Sequence, residues 1–236
     1  MNRKLSVFLV ATLFAGITAS GSILAAKGAG PGPGGKPAAT TVDAVETSHM
    51  LFMREEEKLS RDVYLVLDSY YPGSRVFENI ATRSEQTHTD IMRDRLEQYG
   101  IPDPNPDTNN LPDSIGDFYG AEWGPYFTEK FQSLIARGSD SLLEALYVGA
   151  YIEELDMLDI SQCPDVMVDN GYPYPCGLAY TDERALINTY NSLIEGSMSH
   201  LRSFVNEIAP YIGGVCAYEA QLISQDSVDE ILGCTE

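Results

Sequence analysis

The chain has 236 residues, 44% of them apolar and 21% charged, with 35 acidic against 15 basic residues and a formal net charge of −20. That length and composition suit one globular domain with a substantial core, with or without tails. The excess of carboxylates argues against nucleic acid as a partner, because its binding sites need basic patches, and it favours a surface that attracts cations.

The N-terminus has the pattern of a secretory signal peptide. A short basic head (NRK) precedes an apolar run over residues 5–19, and small residues follow. The run is too short for a confident membrane span. We therefore expect residues 1–26 to be a signal peptide and residues 27–44 to be a disordered Gly/Pro/Ala linker. The mature chain would have no stable membrane span and would lie in the periplasm, in the cell envelope or outside the cell.

The four cysteines all lie in the second half of the chain and are even in number. In an exported protein this indicates two disulfides. Three pairings are open, of which Cys163–Cys176 and Cys216–Cys234 are the local choice. A zinc site is disfavoured because no pair of cysteines has CxxC spacing.

Two long helices are predicted in the first half of the chain. Apolar residues recur at three- and four-residue steps over residues 45–71, and Pro72-Gly73 ends the pattern. A second helix is predicted over residues 76–99, ended by Gly100. Both are longer than the typical helix of a soluble protein, as a helix bundle requires.

Residues 101–125 form a connection rich in Pro, Asp, Asn and Gly. The spacing of Asp103, Asn105, Asp107 and Asn109 superficially resembles a calcium loop. The sixth position is Thr rather than Gly, and the twelfth is Ser rather than Glu. The pattern therefore favours a polar loop.

The second half of the chain predicts a short helix over residues 126–136 and two more long helices. The third long helix begins at a capping box, Ser141 to Glu144, and runs to about Ile160. The fourth runs from about residue 181 to Pro210, and residues 211–236 form a Cys-containing tail. The sequence thus predicts an all-α protein. Its core, over residues 45–210, would be an up-down four-helix bundle with one long crossover connection, which is the ferritin-like topology.

The second long helix carries Glu85 and His88 on its apolar stripe. Residues i and i+3 lie about 60° apart on a helix, so both side chains can reach one metal ion. Ala81, Met92 and Leu96 share the stripe. Burial of an unpaired carboxylate is unfavourable, so such a residue usually has a cation, a proton or a partner. The alternative is a hydrogen-bonded Glu–His pair, or an Arg partner from another helix.

The third and fourth long helices each place a similar group on an inward face. His200 shares the stripe of Tyr190, Leu193 and Phe204. On the third helix Glu153 is the inward candidate, Glu154 flanks it, and Asp156 offers a further oxygen ligand.

The first helix contains the triplet Glu55-Glu56-Glu57. Periodicity alone favours Glu56 as the inward residue, since it shares a stripe with Phe52 and Leu59. We expect at least one of the three to be a solvated residue near the start of the helix.

Three segments resemble rubrerythrin-type ferritin-like proteins. FENIATRSEQTHTD, residues 77–90, resembles their second helix, which bears the Glu-x-x-His ligand pair. EKLSRDVY, residues 57–64, resembles their first helix, and this likeness favours Glu57 over Glu56 as the ligand. SMSHLRSF, residues 197–204, resembles the fourth helix. Residues 46–209 also resemble an uncharacterised prokaryotic family, domain of unknown function 2202, in EEEKLSRDVY, FENIA-SEQTH, ALYVGAYIEELD and GSMSHLRSF.

The resemblance implies a metal centre of one or two iron or manganese ions. Its implied ligands are Glu57, Glu85, His88, Glu153 and His200. It also implies oxidation of Fe(II) by oxygen or peroxide, with Tyr64 and Tyr190 as nearby groups for hydrogen bonding or radical transfer.

Two positions depart from the family pattern. Ser197 replaces the fourth-helix Glu, and Ala150 stands where the third helix would place a bridging Glu. A single-ion site, or a non-enzymatic envelope bundle with a degenerate site, is therefore the competing interpretation. A storage cage is disfavoured, and a homodimer is left open.

Overall fold

A computed structural model describes residues 41–234 of the chain. The predicted signal peptide, residues 1–26, and most of the predicted linker, residues 27–44, lie outside the described residues. Within residues 41–234 the protein is all helical, with no strand, which confirms the predicted class. No helix in this part of the chain is both long and apolar enough to cross a membrane. The helices are α1 (Ala44–Tyr70), α2 (Arg75–Ile80), α3 (Gln86–Tyr99), α4 (Gly124–Gly138), α5 (Leu142–Ser161), α6 (Asp165–Asp169), α7 (Arg184–Ile212) and α8 (Gln225–Leu232).

Four long elements of this set contact one another side by side. α1 packs against α3, and α5 packs extensively against α7. α1 also contacts α5, and α3 contacts α7, so the inward faces of all four meet. The shorter α4 packs against both α1 and α5.

The second predicted helix is interrupted by one turn of π-helix. Ala81–Glu85 joins α2 to α3, and the backbone N–H of Gln86 donates to the carbonyl of Ala81, five residues back. The extra residue in this turn changes the direction in which the following side chains point. The turn ends at Glu85, so it helps to set the orientation of the Glu85 and His88 side chains.

The long crossover between α3 and α4 folds back over α1. Arg54 donates to Asp103 at 2.9 and 3.1 Å, and Lys58 donates to the Ser114 carbonyl at 2.7 Å. Glu55 accepts hydrogen bonds from Asn105 Nδ2 at 2.7 Å and from the Gly120 N–H at 3.0 Å. The crossover thus supplies the hydrogen-bond partners that water would otherwise provide along the outer face of α1.

The expectation that one member of the glutamate triplet is solvated is wrong. Glu55, Glu56 and Glu57 are each 1% exposed. The reason is the crossover together with α4, which cover the side of α1 that faces away from the other long helices.

The fourth long helix does not end at Pro210 but continues to Ile212. Proline removes one donor from a helix without forcing the helix to stop at once. The N–H groups of Gly213 and Gly214 both donate to the Ala209 carbonyl, and Gly213 has φ +96°. The left-handed glycine therefore ends α7.

The tail after α7 is folded and attached to α5. Both disulfides join local partners, Cys163–Cys176 and Cys216–Cys234. The Glu154 carboxylate accepts hydrogen bonds from the Tyr218 hydroxyl at 2.8 Å and from three consecutive backbone N–H groups, those of residues 221–223. Glu154 therefore anchors the tail to α5.

We expect Glu154→Ala to destabilise the protein by about 2–3 kcal/mol, because hydrogen bonds to a charged group are lost and buried donors are left unpaired. Denaturant unfolding measures this change, and limited proteolysis should show faster cleavage after residue 213. Glu195→Ala, at an exposed position of α7, is the matched control. Equal stability and equal cleavage rates in the two variants would contradict the anchoring role.

Candidate metal centre

The five side chains predicted as ligands come together in the interior. Glu57 lies on α1, Glu85 at the end of the π turn, and His88 on α3. Glu153 lies on α5 and His200 on α7. All five are buried. The site is therefore made by segments that are far apart in the sequence.

These residues form two groups that share Glu85. The first group is Glu57, Glu85 and His88, and the second is Glu85, Glu153 and His200. In each group the three ligand atoms all lie within 4.8 Å of one another, which is a spacing that can hold a metal ion. Glu85 stands between the two groups.

The two oxygens of Glu85 face different histidines. Its Oε2 lies 3.4 Å from His88 Nδ1, and its Oε1 lies 2.8 Å from His200 Nδ1. His88 Nδ1 is also 3.2 Å from Glu57 Oε2, and His200 Nδ1 is 3.3 Å from Glu153 Oε2. The two imidazole rings lie 5.5 Å apart, centroid to centroid.

Among these four close N···O contacts, the one between His200 and Glu153 has the direction of a hydrogen bond. Both oxygens of Glu57 and both of Glu85 receive no directed hydrogen bond from the described residues. The imidazole nitrogens and the carboxylate oxygens thus lie close together, but most of these pairs lack the geometry of an N–H···O hydrogen bond. Convergence of this kind is what an ion between the ligands requires.

The charges of the cluster shift the pKa values of its members. Burial lowers the pKa of each histidine, but the facing carboxylates outweigh it and raise the pKa of His88 to about 11 and that of His200 to about 10. Burial raises the pKa of Glu57 to about 7 in spite of His88. Burial acts in the same sense on Glu85, yet the two histidines hold its pKa well below the usual range.

Tyr64 supports the cluster from α1. Its hydroxyl donates to Glu153 Oε1 at 2.5 Å, and burial together with the charge of Glu153 raises its pKa. Tyr190 does not join it, although it was expected to lie near the centre. Its hydroxyl is 2.8 Å from His49 Nδ1. Ten residues of helix separate Tyr190 from His200, a rise of about 15 Å.

Ser197 fills the position where the resemblance expects a carboxylate. Its hydroxyl is buried and donates to the Leu193 carbonyl at 3.2 Å, inside its own helix. The fourth long helix therefore contributes His200 and no carboxylate to the two groups.

Three further carboxyl groups are buried close to the centre, and one of them, Asp159, was not singled out from the sequence. Glu56, Asp156 and Asp159 are all buried, and none of them belongs to either group of three. Burial raises the pKa of Asp159 to about 7, and those of Glu56 and Asp156 well above their usual range. Nothing in the sequence distinguishes Asp159 from other polar residues near the end of a helix.

A glycine on α7 makes room for the His88 ring. A Cβ atom at Gly196 would lie 2.6 Å from His88 Nε2, closer than side chains approach one another. The neighbour of Ser197 is therefore small because α3 and α7 bring the imidazole against the backbone of α7.

Comparison with known proteins places this architecture among uncharacterised relatives. Residues 46–235 match the family described as Uncharacterized protein domain (DUF2202). The chain is 37% identical over 187 residues to Uncharacterized protein MJ0754 of Methanocaldococcus jannaschii, covering 79% of this chain and 86% of the relative. The crystal structure of hypothetical protein MJ0754 from Methanococcus jannaschii superposes with a TM-score of 0.66 at 35% identity, covering 84% of this chain and 98% of that one.

We expect Gly196→Ala to destabilise the fold by about 1–3 kcal/mol, as overpacking of a filled interior does. The His88 ring should also move, which imidazole NMR resonances would report. Gly73→Ala, whose new Cβ would meet no atom within 4 Å, is the control. If Gly196→Ala is as stable as the control and leaves the His88 resonances unshifted, the close approach is not a constraint.

With no ion bound, the protein should lose stability as the pH rises. A histidine with a raised folded-state pKa stabilises the fold fully below its unfolded pKa of 6.5, and this stabilisation disappears as the pH rises toward about 11 for His88 and about 10 for His200. Glu57 acts in the same sense between 4.5 and about 7.

We therefore expect the free energy of unfolding of the ion-free protein to fall by a few kcal/mol between about pH 5.5 and pH 9. Denaturant titrations at the two pH values measure it. In the double variant His88→Gln/His200→Gln the slope should flatten. A stability that rises over this range would show that the imidazoles are not protonated in the fold.

Proposed function

Because the chain belongs to DUF2202, a family of uncharacterised protein domains, we propose its function from the buried site itself. The protein is an exported, ferritin-like metal-binding protein. Its four long helices form a four-helix bundle, and the bundle holds two iron or manganese ions between Glu57, Glu85, His88, Glu153 and His200.

The observation that carries this proposal is the position of Glu85. Its two carboxylate oxygens face two different imidazole nitrogens, and a further carboxylate flanks each of them. These atoms would hold the ions, with Glu85 belonging to both groups of ligands. Ferritin-like bundles hold ions between inward Glu and Glu-x-x-His groups, and Glu85 with His88 supplies one such pair.

The ligand chemistry supports iron or manganese as the metal. Carboxylate and imidazole groups suit iron and manganese, whereas thiolate ligands, typical of structural zinc, do not occur in the cluster. Four of the six oxygens of Glu57, Glu85 and Glu153 are buried without a directed hydrogen bond from the described residues. An ion would compensate this burial, so the residues fit the group.

The residues around the ions would position and shield them. Tyr64 orients Glu153 through a hydrogen bond, and the close packing of α7 against His88 limits the room for water. Bound iron or manganese supplies one-electron redox chemistry, which suits the oxidation of Fe(II) as a substrate or the reduction of peroxide. Ser197 removes one carboxylate from the set found in ferritin-like oxidases, so this centre has three carboxylates and two imidazoles.

Export is supported by two independent features. The N-terminal sequence has the pattern of a signal peptide, and all four cysteines are paired in two disulfides. Disulfides persist in oxidising compartments.

One observation favours a second candidate function, a non-enzymatic envelope bundle. Three carboxylates face two imidazoles whose pKa values are raised, so ion pairs alone nearly balance the charge of the cluster. In that case the cluster would stabilise the fold without a metal.

Elemental analysis of the purified mature protein separates the two functions. We expect about two ions per chain, and loss of at least one ion in each of His88→Ala and His200→Ala, since each removes one ligand from a different group. His49→Gln is the matched control, because His49 is buried and bonds Tyr190 and the Asp159 carbonyl outside the cluster. Substoichiometric metal in the parent would refute the metal centre.

A further inference from the structure

Three buried carboxyl groups remain beyond the ligands of the proposed centre. Glu56 on α1 and Asp156 and Asp159 on α5 are between 1% and 4% exposed. Both oxygens of Glu56 and Oδ1 of Asp156 receive no hydrogen bond from a donor group of the described residues. Buried carboxylates without donors usually have a cation or a proton. Asp156 Oδ2 accepts a hydrogen bond from Ser60 Oγ at 3.3 Å. No backbone N–H of the described residues donates to any of the three groups, in contrast to Glu55 and Glu154.

The three groups form a series that leads outward from the centre. The electrostatic neighbours of Asp156 include Glu57, Glu85 and Glu153 of the centre, and also Glu56. The charge of Glu56 in turn interacts with those of Asp156 and Asp159. On α5, Glu153, Asp156 and Asp159 follow one another at three-residue steps, each a rise of about 4.5 Å, so Asp156 stands between the centre and Asp159.

The outer end of the series opens into a surface cleft. Asp159 lines a cavity of about 200 Å³ between α4 and α5, whose wall also contains Tyr126, Lys130, Tyr151 and Asp165. Asp159 thus connects solvent with the buried carboxyl groups. α4 contributes part of this wall, although it supplies no ligand to the centre.

The positively charged side chain of Lys130 lines this cleft. Its Nζ donates to the Tyr151 hydroxyl at 3.1 Å and lies 5.2 Å and 5.8 Å from the ring centroids of Tyr151 and Tyr126. Glu56 and Asp159 both interact electrostatically with Lys130. The mouth therefore attracts positive charge, and Lys130 opposes the approach of a second cation.

We propose that the cleft and the series Asp159, Glu56 and Asp156 form an access route for a divalent cation from solvent to the centre, with Lys130 as an electrostatic gate at its mouth. The route rests on the proposed metal centre. Carboxylate oxygens of the series would replace the water ligands of the ion in turn, and the negative charge of the cleft would raise the local cation concentration.

The test measures the rate of ion uptake separately from the final occupancy. Metal-stripped protein is mixed with Co²⁺ in a stopped-flow instrument, and the visible absorbance of the coordinated ion is followed with time. Elemental analysis then gives the amount bound at equilibrium. The variants are Asp159→Asn and Glu56→Gln in the series, Lys130→Met at the gate, and Asp113→Asn, an exposed crossover position outside the cleft, as the control.

We expect Asp159→Asn and Glu56→Gln to slow uptake on the order of tenfold, and Lys130→Met to accelerate it, because electrostatic focusing changes association rates by factors of about 10–1000. Final occupancy should equal that of the parent in all three. The uptake rate should thus fall in the two carboxyl variants and rise in Lys130→Met, whereas damage to the fold would slow uptake in every variant.

Two results would overturn the route. Unchanged uptake rates in the Asp159, Glu56 and Lys130 variants, with full occupancy, would show that the ion enters elsewhere and that Glu56 and Asp159 simply share a proton. That outcome leaves the metal centre intact. Failure of the parent itself to bind Co²⁺ or any native metal would instead refute the centre, and the route with it.

Discussion

Carboxylate groups removed from water destabilise a fold by several kcal/mol each unless a cation, a proton or hydrogen-bond donors replace the water. In this protein Glu57, Glu85 and Glu153 are buried together, and two imidazoles provide the nearest compensation. Because Glu85 faces both rings, a rotation or shift of α3 or α7 would separate at least one oxygen from its nitrogen. The relative positions of the long helices are therefore constrained by this cluster as much as by apolar packing.

Buried carboxylates also occur outside the cluster, where backbone N–H groups donate hydrogen bonds to them. Glu55 accepts from the Gly120 N–H and from the Asn105 side chain in the crossover, and Glu154 accepts from three N–H groups of the tail. Each carboxylate thus ties an irregular segment to a long helix.

How far the sequence predicts this structure depends on which signal each residue carries. Glu85, His88, Glu153 and His200 lie on apolar stripes of regular period, so their burial was predictable. The position of Glu57 beside His88 was predictable from the family resemblance and not from periodicity. The π turn before Gln86 has no signal in composition or spacing. The role of Glu154 depends on a tail about 70 residues away in the chain, which local patterns do not contain.

The glutamate triplet shows why periodicity failed on α1. Successive residues of a helix point about 100° apart, so three in a row cover most of its circumference. Glu55 meets the crossover, Glu56 meets Asp159 beside the α4 cleft, and Glu57 meets His88. A helix that is covered on every side has no solvated face, so an apolar stripe cannot distinguish its inward side. The surroundings of each face therefore decide what each glutamate of α1 does: Glu57 faces the buried Glu/His cluster, and Glu56 faces the side of Asp159.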